Sequence, residues 1–111
     1  MKLRLFFATL FLCLACYDSL KAEGTLSQIL DNGPRSNRIN IVFLGDGYTA
    51  AEEAKFSSDI NSILNHLLGK APFGEYSAYL NAFAIYVESN ESGADHPSLG
   101  VYKDTYFDGT F

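Results

Sequence analysis

The sequence predicts an α/β fold organised around one β-α-β unit. Three observations carry that prediction. A nearly continuous apolar run, INIVFL at Ile39–Leu44, leads into Gly-Asp-Gly-Tyr-Thr. An amphipathic stretch follows at once, from Ala50 to Leu68, and a second apolar run, AFAIYVES, occupies Ala82–Ser89. Two strands separated by a long helix pair in parallel, through a right-handed crossover. The expected elements are therefore parallel strands over about 39–44 and 82–88 and a crossover helix over about 50–68.

Each element has a local reason. Ile, Val and Phe are β-formers, and a run without polar alternation suits a strand covered on both faces. Gly45 and Gly47 end it. Thr49-Ala50-Ala51-Glu52 fits a capping box, in which the N-cap threonine and a glutamate three residues on satisfy each other's backbone N–H groups. Phe56, Ile60, Ile63, Leu64 and Leu67 then form one apolar stripe at helical spacing. His66 falls beside Asn65 on the solvent side near the helix end, where an imidazole complements the dipole. Gly69 is placed to follow the last turn. FGEYSAYL, at Phe73–Leu80, reads as a short second helix weakened by Gly74. Upstream, TLSQIL reads as a short helical turn and DNGPRSNR as a turn or linker.

The two loops that leave the strands should meet. NESGADHPSLG, Asn90–Gly100, departs from the C-terminal end of the second strand, and Gly45–Thr49 departs from the same end of the first. In parallel sheets that edge is where sites are built. The candidate residues there are Asp46, Gly47 and Tyr48 from the first loop and Asp95 and His96 from the second.

The chain has 111 residues, the length of one small domain. Residues 1–22 have the three-part layout of a secretory signal peptide. A basic start at Lys2 and Arg4 precedes a 12-residue apolar run, LFFATLFLCLAC, and YDSLKA ends in a small residue. The run is too short to span a bilayer, which takes about 20 residues. Cleavage is expected after Ala22, giving a secreted or periplasmic protein. A lipid anchor at Cys16 is the lesser alternative, because Cys13 stands three residues before it. Residues 23–37 read as a lead-in and 38–111 as the start of an α/β domain. The aromatic run DTYFDGTF reaches Phe111 without a polar tail or capped helix, which reads as a domain that continues.

Composition and motifs exclude several chemistries. Both cysteines, Cys13 and Cys16, lie in the leader, so the mature chain has no disulfide and no cysteine metal ligand. Three of the 8 basic and one of the 13 acidic residues are in the leader, leaving 5 against 12, a net charge of −7. With no basic cluster, nucleic acid is not a partner. Gly45-Asp46-Gly47 lacks the third glycine of a dinucleotide fingerprint, since position 50 is Ala50. Asp46 would repel a phosphate, and no Gly-Lys-Ser/Thr follows. A Gly-Asp-Ser hydrolase needs a nucleophile where Gly47 stands, and glycine has none. The plainer reading of this loop is a turn whose N–H groups are bonded by Asp46. There are two histidines, His66 and His96, and no H-E-x-x-H, so no catalytic or metal-ligating set can be assembled from the visible residues. Asp95-His96 sits on the expected edge, although adjacent residues rarely aim at one point. Tyr48, Tyr102 and Tyr106 could line a cleft or fill a core.

At these residues the sequence resembles a known family. NRINIVFLGDGYTAAEEAKFSSDI, PFGEYSAYLNAFAIYVESNESGADHP and GVYKDTYFDGTF together resemble the N-terminal part of the catalytic domain of the IgA-peptidase family of zinc metallopeptidases. The similar region runs from about Ser36 to Phe111. The strand with Gly-Asp-Gly-Tyr-Thr is its strongest element. Phe56, Pro72-Phe73 with Tyr76, and Glu91-Ser92-Gly93 with Asp95 support it. The resemblance implies an exported zinc peptidase acting on protein or peptide substrates. In such enzymes zinc polarises the scissile carbonyl and activates a water, and the glutamate of H-E-x-x-H is the base. That motif is not among these residues, so the resemblance implies a scaffold that binds no zinc and is inactive by itself. Asp46 and Asp95 match family motif positions. Immunoglobulin as substrate does not follow. The alternative, from another class, is a small exported α/β binding domain without catalytic activity.

Overall fold

The computed structural model describes residues 24–111. The leader, its two cysteines, the cleavage point after Ala22 and the alternative anchor at Cys16 lie outside the described residues. The main elements are β1 (Thr25–Leu30), β2 (Ile39–Leu44), α1 (Glu53–Leu68) and β3 (Leu80–Tyr86). Short 3-10 turns lie at Arg35–Asn37, Ala50–Glu52, Ser77–Tyr79 and Pro97–Leu99.

The sheet order is β1-β3-β2. β2 and β3 are parallel, from Ile39 opposite Leu80 to Leu44 opposite Ile85, and α1 is the crossover between them. The predicted β-α-β unit is present. β2 has the predicted span. β3 begins at Leu80 rather than Ala82, because Leu80 and Asn81 pair with Ile39 and Asn40, and it ends at Tyr86.

The helix starts as the capping box requires. The Glu52 carboxylate accepts the Thr49 N–H at 3.0 Å and the Thr49 hydroxyl at 3.0 Å. Ala50–Glu52 forms a tight 3-10 turn that opens into α1. Phe56, Ile60 and Leu64, at i, i+4 and i+8, are the buried row of α1. The Phe56 and Ile60 side chains form a core with Ala84 of β3, to which Ile29, Phe43, Tyr48 and Tyr86 add. Small residues at 82 and 84 let the helix lie close to the sheet. Each large side chain buried this way contributes about 1.5–3 kcal/mol. Ile63, expected in the stripe, is 51% exposed: it projects from the flank of α1, beyond the reach of the three strands. Gly69 caps α1 in right-handed geometry, φ −78°, so the left-handed ending expected of a terminal glycine is not used. His66 is exposed, as expected.

Three expectations are corrected. TLSQIL is strand β1, not a helical turn. It lies antiparallel to β3 with Thr25 opposite Tyr86 and a bulge between Gln28 and Leu30. Leu26, Ile29 and Leu30 imitate a helical spacing over six residues, and pairing with a distant strand overrides it. FGEYSAYL forms turns and the single 3-10 turn Ser77–Tyr79, not a helix. Finally, the strand covered on both faces is β3, in which Leu80 to Ala84 are all buried. β2 is an edge strand whose Ile39, Val42 and Leu44 are 64%, 50% and 59% exposed.

Candidate functional site

The C-terminal edge of the parallel pair is where the structure concentrates polar contacts. The Gly45–Thr49 loop and the Asn90–Gly100 loop are neighbours, as the sequence predicts. The Ser89 N–H donates to the Tyr48 carbonyl at 2.8 Å, and the Gly93 N–H donates to the Gly47 carbonyl at 2.9 Å. Gly47 has φ +68°, and a Cβ on it would run into the carbonyl of Gly93. Only glycine satisfies both the left-handed backbone and this approach.

Asp46 does not serve its own turn in the way the sequence suggests. Its carboxylate reaches across the edge to residues 105–109. Oδ1 accepts the Phe107 N–H at 3.0 Å, and Oδ2 accepts the Thr105 hydroxyl at 3.1 Å and the Gly109 N–H at 3.0 Å. Burial alone would raise its pKa. Hydrogen bonds from the Phe107 and Gly109 N–H groups and the Thr105 hydroxyl outweigh that and hold it below the ordinary carboxylate value. Asp95 grips the other side of the same segment. Its N–H donates to the Gly109 carbonyl at 3.0 Å, its carbonyl accepts the Phe111 N–H at 3.0 Å, and its carboxylate accepts the Lys103 N–H. Asp46 and Asp95 are thus joined through the chain between them, and neither carboxylate is left free.

The other candidates point elsewhere. The Tyr48 hydroxyl donates to Asp59 Oδ2 on α1 at 3.0 Å, and its ring packs edge-on against Phe56 at 5.3 Å. Burial, then the bond to and charge of Asp59, raise its pKa. His96 pairs its backbone with Val101, and its Nδ1 lies 2.9 Å from the Ser98 hydroxyl. It does not converge with Asp95 on a common point. Tyr102 and Tyr106 are 68% and 46% exposed, so neither fills the core.

Sequence reasoning missed Ser89. It is 3% exposed, and its hydroxyl accepts the Gly47 N–H at 3.1 Å and the Tyr106 N–H at 3.0 Å. One side chain therefore ties both edge loops to the 105–109 segment. Its only local signal was a serine closing an apolar run. Glu52 adds a further tie by accepting the Ser92 hydroxyl at 2.9 Å. The Thr49 N–H and then Ser92 lower its pKa.

These groups surround a shallow cleft of about 240 Å³, lined by Asp46, Tyr48, Glu52, Lys55, Ser92 and Phe111 among others. Its wall carries no activated nucleophile. Among the described residues no group of three or more His, Cys, Asp or Glu could hold a metal ion. His66 and His96, on the end of α1 and in the second loop, do not fit a zinc site with them. No helix among the described residues is long and apolar enough to cross a membrane.

The fold is an α/β arrangement built on one β-α-β unit, and its two edge loops border the cleft. The family described as IgA peptidase M64 matches residues 27–111, most of the chain, and the chain belongs to that family. Its class is therefore peptidase, and more narrowly metallopeptidase, with protein as the class of substrate. The match begins inside β1, earlier than the resemblance that starts near Ser36. No curated protein matches the chain.

Proposed function

We propose that this chain supplies the opening part of the catalytic domain of an exported zinc metallopeptidase. The family match over residues 27–111 carries the reading. In it, the β-α-β unit and its two clasped loops form one wall of the substrate path. The zinc ligands and the base come from an H-E-x-x-H segment that these residues do not include. The leader over residues 1–22 directs export, and the mature chain begins at Glu23.

The test compares two preparations. Secreted chain starting at Glu23 on N-terminal sequencing is incubated with zinc and with denatured protein or mixed peptide substrates. No chelator-sensitive hydrolysis is expected from it. The same residues joined to an H-E-x-x-H-bearing segment of the family are expected to hydrolyse the substrates and to stop when chelator is added. Chelator-sensitive turnover by the chain from Glu23 to Phe111 alone overturns the proposal.

A further inference from the structure

The segment Thr105–Phe111 differs from everything else in the molecule in how it is held. It is not anchored by a core. Tyr106, Phe107 and Phe111 are 46%, 48% and 87% exposed, and only Thr105 is buried. It is held by hydrogen bonds to three side chains and loops already described: the Asp46 carboxylate, the Ser89 hydroxyl and the Asp95 backbone.

Its backbone is shaped around one of those groups. Asp108 adopts φ +54°, the left-handed region, which a residue with a Cβ enters at a cost. That turn brings the N–H groups of Phe107 and Gly109, on either side of it, onto the same carboxylate of Asp46. Gly109 is fitted to the same contact: a Cβ there would lie 2.6 Å from Asp46 Oδ2. The segment ends at the cleft, where Phe111 lines the wall together with Asp46, Glu52 and Lys55. His96 faces the Phe111 ring at 6.3 Å between centroids.

We infer that Thr105–Phe111 is a strap latched beside the edge cleft by Asp46, and that it opens as a unit without unfolding the sheet and helix. Asp46 is then a positioning residue for the cleft wall. The physical ground is the division of stabilisation. The body is held by buried apolar side chains, whereas the strap is held by polar bonds, three of them on the Asp46 carboxylate and the rest on Ser89 and the Asp95 backbone. Segments of that kind open locally at a lower free energy than the global transition. The inference concerns the strap's own bonds and stands whether or not the peptidase reading holds.

Amide exchange on the intact chain, read residue by residue by NMR, tests it. In the parent the Phe107 and Gly109 amides are protected. Asp46→Asn replaces an accepting oxygen by an NH2 that confronts a donor, so both amides should exchange about tenfold faster or more, as expected for bonds to a charged group. The β3 amides Leu80–Tyr86 should keep their protection within about twofold. Two variants check the turn. Asp108→Gly accepts the left-handed backbone and should keep the strap protected. Asp108→Val resists it and should release the strap although Asp46 is intact. Protection that survives in Asp46→Asn, or that falls equally in β3, overturns the inference.

Discussion

The two ends of β3 are fastened by different physics. At its start, Asn81 is fully buried, at 0% exposed. Its Oδ1 accepts the Asn32 N–H at 2.8 Å, and its Nδ2 donates to the Gly33 carbonyl at 3.0 Å and to Asn40 Oδ1 at 3.2 Å. Asn32 returns two bonds of its own, to the carbonyls of Ser77 at 3.0 Å and Leu80 at 2.7 Å. Just past its far end, Ser89 and the ionised Asp46 hold the loops and the strap. The first knot is built on amide groups around the buried Asn81, with the Arg38 guanidinium donating to the Asn32 carbonyl at 2.9 Å on its outer side. The second is charged, partly wet and borders a cleft. The contrast separates a framework from an edge: one end fixes how β1 and β2 are joined to β3, and the other positions segments that can still move.

The strongest way to break the comparison is at the Asn81 end. Asn81→Ala leaves the half-buried Asn32 N–H and Gly33 carbonyl, and the amide oxygen of the exposed Asn40, without their partner. A buried orphaned group costs about 1–3 kcal/mol and one that water reaches costs less, so a loss on the order of 2–3 kcal/mol is expected. That is a large part of the total stability of a small domain, ~5–15 kcal/mol. The urea midpoint should fall sharply, with amide protection lost in all three strands together. A loss confined to residues 31–33 would mean that this knot is not part of the framework.

Gly47→Ala acts at the charged end, and its effect should start there. It places a methyl in a left-handed backbone, worth about 1–2 kcal/mol, and against the Gly93 carbonyl. The loop must shift to admit the methyl, so the expected result is a drop in midpoint with protection lost first at Ser89 and Gly93, whose N–H groups bond this loop. If protection is lost first in β1 instead, the edge is not the weaker end.

What the sequence revealed follows this same division. β2, α1 and the parallel pairing were legible because each is written locally: an apolar run, a capping box, a stripe every three to four residues. The neighbouring of the two loops followed from topology alone. β1 was not legible, because six residues with Leu26, Ile29 and Leu30 satisfy a helix as well as an edge strand. The role of Asp46 was hidden for a different reason. Its partners Thr105, Phe107 and Gly109 lie 59 to 63 positions away, and two of the three donate through backbone N–H groups that carry no residue signature. Ser89 accepts only backbone N–H groups and is silent in the same way.

The smallest expected effect, and the one that sharpens the contrast most, comes from acid. The pKa of Asp46 is lowered in the folded chain from an ordinary value of 3.8. The sign follows from linkage. The folded state favours the carboxylate, so its contribution is complete above the unfolded value and is lost as pH falls through the lower, folded one. Near neutral pH the strap should therefore show no dependence on Asp46 titration, and it should loosen only in strong acid. Other charged or titratable groups around it are Tyr48, Glu52 and Lys55 in the cleft, Asp95 and Lys103 on the strap's other side, Tyr106 and Asp108 in the strap, and His96 against Phe111. Exchange of the Gly109 amide, compared between the parent and Asp46→Asn after correction for intrinsic exchange, isolates the term. The two should differ at pH 6 and converge as Asp46 becomes protonated in the parent, while the Asn32 amide bonded to Asn81 shows no such step. A difference that persists unchanged in strong acid would mean that the latch depends on the shape of the side chain and not on its charge.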